Sequence, residues 1–197
     1  VVDTKKLQSL NKEQVRVLML VHRNFVRSGA ALTGKNKARF HSINKKLAEI
    51  GTKFSQNLLN DERDWILKLE SETLELLPSF LVQALKQAGE DRGINQAVLT
   101  LSRSLITPFL QFCPDRELRE LAYVAWTKRG ESVGDRNNVR LAHKTLKLRA
   151  EMAKILGFES YSHYKLETEM ASSPEAVDKL LTTVWALSLI HISEPTR

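Results

Sequence analysis

Five histidines, one cysteine and several spaced carboxylates are the side chains of this 197-residue sequence best suited to metal ligation, nucleophilic attack or proton transfer. His22, His41, His143, His163 and His191 stand apart from one another. None of them forms His-Glu-x-x-His, the helical spacing that sets two imidazoles on one face for zinc and adds a glutamate base. His22 falls on an apolar face, which suits a hydrogen-bonded core or interface histidine better than a ligand. His41, His143 and His163 are singly spaced and read as solvated. Cys113 has no sequence neighbour that would activate it as a nucleophile, so only a spatial partner could do so. Glu117 with Glu120, and Glu167 with Glu169, could bring carboxylates together, although exposed helical faces explain them equally simply. Tyr161 and Tyr164 could touch a ligand, but packing against the preceding helix is the better account. Glycine-rich phosphate loops are absent. By themselves these residues specify no reaction.

The elements that would position them read as helices. The stretch from Arg39 to Asp61 places Phe40, Ile43, Leu47, Ile50, Phe54 and Leu58 at steps of three and four, one face of a helix of about six turns. Arg39, Lys46 and Lys53 repeat every seven residues on another face. Upstream, Asn11 reads as an N-cap, and Val15, Leu18, Met19, His22, Phe25 and Val26 follow as a stripe that stops at Gly29. These two stripes predict an antiparallel helix pair joined through Thr33 and Gly34. Trp65, Leu67 and Leu69 alternate as a short strand, and Ala97–Leu101 offers a second; the two should pair with each other, since a lone strand leaves its backbone groups unsatisfied. Between them, Pro78 should occupy the first position of a helix that runs through Phe80, Leu81, Ala84 and Leu85 and ends before Gly89. Pro108 should mark a break. Pro114-Asp115 should start a helix with Leu118, Leu121, Ala122 and Ala125 on one face. A loop at Gly130–Gly134 precedes a long helix carrying Leu141, Leu148, Met152 and Ile155, with Gly157 past its end. Tyr161–Met170 reads as a short helix, and Ser173-Pro174-Glu175 as a helix start. The fold class is mainly α, with a small two-stranded β element near residues 65–69 and 97–101.

Bulk properties narrow the function classes. Hydrophobic residues make up 42% and charged residues 27%, ordinary values for a globular protein able to bury a core. No apolar run approaches the roughly 20 residues of a membrane span, and VVDTKKLQSL lacks the apolar centre of a secretion signal. A lone Cys113 forms no internal disulfide and suits a reducing compartment, so a cytoplasmic location is expected. The net charge of +7 would allow acidic partners, but the basic residues are interleaved with acids in every segment, as on solvated helix faces. No nucleic-acid or membrane partner is therefore expected.

Several ordered segments resemble the thimet-oligopeptidase family of zinc metallopeptidases, especially its bacterial dipeptidyl carboxypeptidase branch. Besides Arg39–Asp61, they are HRNFVRSGAAL (His22 to Leu32), TPFLQF (Thr107 to Phe112) and RELRELAYVAWTKRG (Arg116 to Gly130). The most specific is LRAEMAKILGFESYSHYKLETEMASSPEAV (Leu148 to Val177), a charged helix followed by Leu-Gly-Phe, an aromatic turn, Met-Ala and a Ser-Pro helix start. Ser102–Ile106 departs from the branch pattern, where a Pro and a Tyr would precede the Pro-Phe-Leu segment. The resemblance implies a helical lobe flanking a deep channel, in a monomeric enzyme that uses zinc to hydrolyse short, unstructured peptides. It also implies that the zinc ligands lie in the family's C-terminal half. No catalytic or metal residue is therefore assigned here; the substrate-binding residues are unknown, and the chain alone is expected to bind no cofactor and to be inactive. Residues 1–186 would be part of the N-terminal helical region. LSLIHISEPTR (Leu187 to Arg197) resembles a translated sequencing-library adapter, so residues 187–197 are expected to be a non-native tail. The competing readings are a non-catalytic helical binding or scaffold module, and a nucleic-acid binder whose affinity would collapse with salt.

Overall fold

The computed structural model describes residues 10–131 and 134–193, with side chains described through residue 189. Ser132 and Val133 of the expected loop, the His191 side chain and Glu194-Pro195 lie outside what is described. The chain divides into two compact units, Val1–Leu47 with Thr145–Arg197, and Ala48–Lys144. The elements in chain order are α1 (Lys12–Arg27), α2 (Gly34–Asp64), β1 (Ile66–Lys68), α3 (Ser71–Glu75), α4 (Ser79–Glu90), β2 (Val98–Thr100), α5 (Arg103–Phe112), α6 (Arg116–Thr127), α7 (Asn138–Ile155), α8 (Tyr161–Leu166) and α9 (Pro174–Ser193). Among the described residues, no helix is long and apolar enough to cross a membrane.

The Ala48–Lys144 unit carries the larger core. β1 and β2 pair antiparallel, Ile66 opposite Thr100 and Lys68 opposite Val98, as the two alternating runs require. Leu81 and Leu85 of α4, Leu99 of β2, and Ile106 and Phe109 of α5 are fully buried around this ladder. Each such side chain contributes about 1.5–3 kcal/mol of burial free energy. α6 begins as expected: Asp115 caps it by accepting from the Glu117 and Leu118 N–H groups at 2.8 and 3.1 Å, and Ala122 is buried. Its Leu121, expected on the same face, is 55% exposed.

In the other unit, Phe40 and Ile43 of α2 pack with Met152 of α7, bordered by Leu47, Leu148 and Ile155. This is the stripe read from Arg39–Asp61, and Arg39, Lys46 and Lys53 are exposed as expected. Asn11 caps α1 through a reciprocal box with Gln14, which satisfies two backbone N–H groups at once. Gly29 follows with φ +87°, and a Cβ there would meet the Phe40 ring at 2.8 Å.

Several expectations are corrected. α1 buries none of its residues: Met19, Phe25 and Val26 stand exposed, as does His22, so the anticipated buried stripe is not covered among the described residues. Pro78 is the N-cap of α4 rather than its first residue, and the short α3 ahead of it was not anticipated. α4 does not stop before Gly89 but passes through it to Glu90. Gly89 is there because the chain returns against it: a Cβ would stand 3.1 Å from the Ile94 carbonyl oxygen and closer still to that of Gln96. Pro108 does not break the chain but sits inside α5. It forfeits only the bond toward the exposed Ser104 turn, and burial of Leu105, Ile106 and Phe109 outweighs that loss. α8 ends at Leu166, not Met170.

Candidate functional site

The chemically capable residues are distributed over the described structure rather than gathered. His22, His41 and His143 are exposed; His41 meets the Phe40 ring edge-on, with centroids 6.5 Å apart. His163, read as solvated, is instead half-buried and partnered. Its Nδ1 lies 2.8 Å from Ser160 Oγ, the N-cap of α8. Its Nε2 lies 3.4 Å from Glu175 Oε1 and 3.7 Å from Glu159 Oε2.

Cys113 is buried between α5 and α6, and its thiol donates to the Asp115 carbonyl at 3.8 Å. Burial pushes the thiol pKa up, which holds it as the inert thiol rather than the nucleophilic thiolate. Glu117 and Glu120 are exposed along α6, on the rim of a shallow cleft of about 580 Å³ floored by Trp65, Leu121, Val124 and Ala125. Glu167 pairs with Arg27, and Glu169 accepts from Lys165 Nζ at 2.8 Å, so neither forms the carboxylate pair that their spacing allowed. The Lys165 ammonium draws the Glu169 carboxyl below its ordinary range.

One assembly of polar and aromatic groups surrounds Arg27 at the end of α1. Its guanidinium lies 4.2 Å over the Tyr164 ring and 5.9 Å from that of Phe158, and it donates to the Tyr164 carbonyl at 2.6 Å. Phe158 and Tyr164 meet edge to face at 5.3 Å; Arg149 lies 5.0 Å over Tyr161. Such stacking favours arginine because its planar cation is weakly hydrated and always charged. The left-handed turn at Gly157, φ +86°, brings Phe158 into this cluster. Tyr161 and Tyr164 thus hold the chain together, the packing role preferred for them from sequence. Sequence reading did not find Arg27, because its partners are more than 130 residues away.

Two further polar constellations went unread for the same reason. Asn57 and Asn138 are buried side by side, Asn57 Nδ2 donating to Asn138 Oδ1 at 2.8 Å and Asn138 Nδ2 donating to the Phe54 carbonyl at 3.0 Å. Around the end of α2, Arg129 pairs with Glu62 at 2.5 Å while Asp61 accepts from the Gly130 N–H at 2.7 Å. Each group satisfies backbone or neutralises charge between distant segments, so each is architectural. The described residues hold no group of three or more His, Cys, Asp or Glu side chains placed to bind a metal ion. A resident zinc therefore does not fit the described residues of this chain, and no catalytic step is derived through one.

Comparison with known proteins supplies what these residues do not. Residues 109–188 match the model of Peptidase family M3. Oligopeptidase A of Haemophilus influenzae is 34% identical over 160 residues, covering 79% of this chain and 24% of that protein. Oligopeptidase A of Escherichia coli is 32% identical over 186 residues, covering 91% of this chain and 27% of its own length. Dipeptidyl carboxypeptidase of the same organism is 28% identical over 170 residues, covering 85% and 25%. The similarity is thus to peptidase family M3, in agreement with the resemblance carried by the ordered segments from His22 to Val177. The chain spans about a quarter of the length of the curated relatives it matches.

Proposed function

We propose that this chain forms part of the helical, non-catalytic portion of a zinc metallopeptidase that hydrolyses short, unstructured peptides, with release of C-terminal dipeptides as its specific activity. The observation that carries the reading is the match of residues 109–188 to Peptidase family M3. Similarity to both oligopeptidase A and dipeptidyl carboxypeptidase supports the substrate class. In this reading the zinc ligands and the glutamate base belong to parts of the polypeptide outside this chain, and no residue here is assigned a chemical step. The role left to the two units is to restrict access to a peptide channel. A cytoplasmic, monomeric enzyme with no nucleic-acid or membrane partner completes the proposal; the single, buried, free cysteine is in keeping with a reducing compartment.

The test begins with the longer reading frame. It should encode His-Glu-x-x-His followed by a third, glutamate ligand, and its product should cleave free-ended short peptides in a chelator-sensitive way. A longer frame without that motif removes the reading. The 197-residue chain assayed alone with added zinc should cleave nothing; chelator-sensitive cleavage by it would overturn the assignment of chemistry to other parts. Retention of Leu187–Arg197 in the longer frame would likewise refute the non-native tail.

A further inference from the structure

The α9 helix exposes Leu180, Leu181, Val184 and Trp185, each between 55% and 63% accessible. Their i, i+1, i+4, i+5 spacing sets all four on one face. They lie inside the family match at 109–188 and ahead of the adapter-like stretch, so the face belongs to the family's own sequence. A contiguous apolar strip of this kind marks an interaction surface.

Resting on the reading of the chain as one part of a longer peptidase, we propose that this face docks an amphipathic helix of the same polypeptide, one lying beyond the region matched here. Three occupants compete, and size and charge decide among them. Leu187, also exposed on this face, belongs to the adapter-like stretch. At their observed exposure the other four side chains offer on the order of 500 Å² of apolar surface, against roughly 800 Å² per partner in a stable complex of two free molecules. That is too little for a second copy. Within one polypeptide the contact escapes most of the translational and rotational cost of association, so the same area suffices. A lipid surface is disfavoured because Pro174–Ser193 carries a single cation, Lys179, whereas interfacial helices bear a basic polar face. The relatives, about four times longer than the stretch matched here, have the additional chain to supply the partner helix.

Hydroxyl-radical footprinting read by mass spectrometry tests this directly. In the 197-residue chain, Leu181 and Trp185 should oxidise freely at low and high protein concentration alike. In the longer polypeptide both should oxidise about tenfold more slowly, as docking closes off solvent. Trp185→Asp in the longer polypeptide should restore oxidation at Leu181, and Trp185→Phe should leave it protected. Equal oxidation of the two residues in both proteins overturns the proposal. Protection in the 197-residue chain that grows with concentration also overturns it, by making a second copy the occupant. Peptide hydrolysis is scored separately: protection without hydrolysis sinks the peptidase reading and leaves this one standing.

Discussion

Replacing Gly89 by alanine should destabilise the Ala48–Lys144 unit, although the same change inside a helix ordinarily stabilises. Gly89 lies in α4 with ordinary helical backbone, so alanine would gain about 1 kcal/mol of helix propensity. Against that, the new methyl would stand 3.1 Å from the Ile94 carbonyl oxygen and deeper still into that of Gln96. Both are backbone atoms and cannot swing aside. Relief requires the 94–97 segment to lift from α4, straining the 2.9 Å bond from the Ile94 N–H to the Gly89 carbonyl. Lifting also loosens packing at Ala97, which is 4% exposed. Overpacking of about 1–3 kcal/mol and a weakened hydrogen bond of about 1 kcal/mol leave a net loss of about 2 kcal/mol. Urea unfolding followed by helical circular dichroism measures it, with Gly51→Ala as the control. Gly51 is also helical, but nothing lies within 4 Å of its Cβ position, so that variant should gain up to about 1 kcal/mol. If Gly89→Ala raises the unfolding midpoint as Gly51→Ala does, the close approach of residues 94–97 to α4 is wrong.

Asn138→Leu should cost about 1–3 kcal/mol in the same assay, because it strips the buried Asn57 amide and the Phe54 carbonyl of their partner; a second change, Asn57→Leu, should recover part of that loss. The Arg39 guanidinium beside Glu151, at 2.5 and 2.6 Å, holds that carboxyl below its ordinary range. A depressed folded-state pKa stabilises above the unfolded value and is lost as pH falls through the folded one. The small advantage of wild type over Glu151→Gln should therefore be present at neutral pH, shrink with salt, and vanish on acidification through the lower carboxylate range. Cys113, its thiol pushed up by burial, should react slowly with a disulfide reagent at mildly alkaline pH and quickly once urea opens the core; fast labelling of the native chain would contradict its placement.

The sequence by itself determined what is local. Apolar spacing fixed α2 and its stripe, Asn11, Asp115 and Ser173 announced helix starts, and the alternation at Trp65–Leu69 and Ala97–Leu101 paired two strands whose partner residues lie 30 to 34 positions apart. These signals are legible because each depends on neighbours within a turn or on backbone groups that must find a partner. The likeness to a peptidase family too was legible, since the matching segments run in order along the chain. The tertiary structure decided the rest. Gly89 and Pro108 read as stops, but a returning carbonyl and a buried face overrule local preference in α4 and α5. Arg27 met Tyr164, and Asn57 met Asn138, only through folding, and no periodicity announces such pairs. The same holds for chemistry: separation in sequence left open whether histidines, cysteine and glutamates would converge, and only distances in three dimensions show Cys113 buried against Asp115 and Glu167 tied to Arg27. A packing stripe can be read along one helix, but a site exists only where several elements meet.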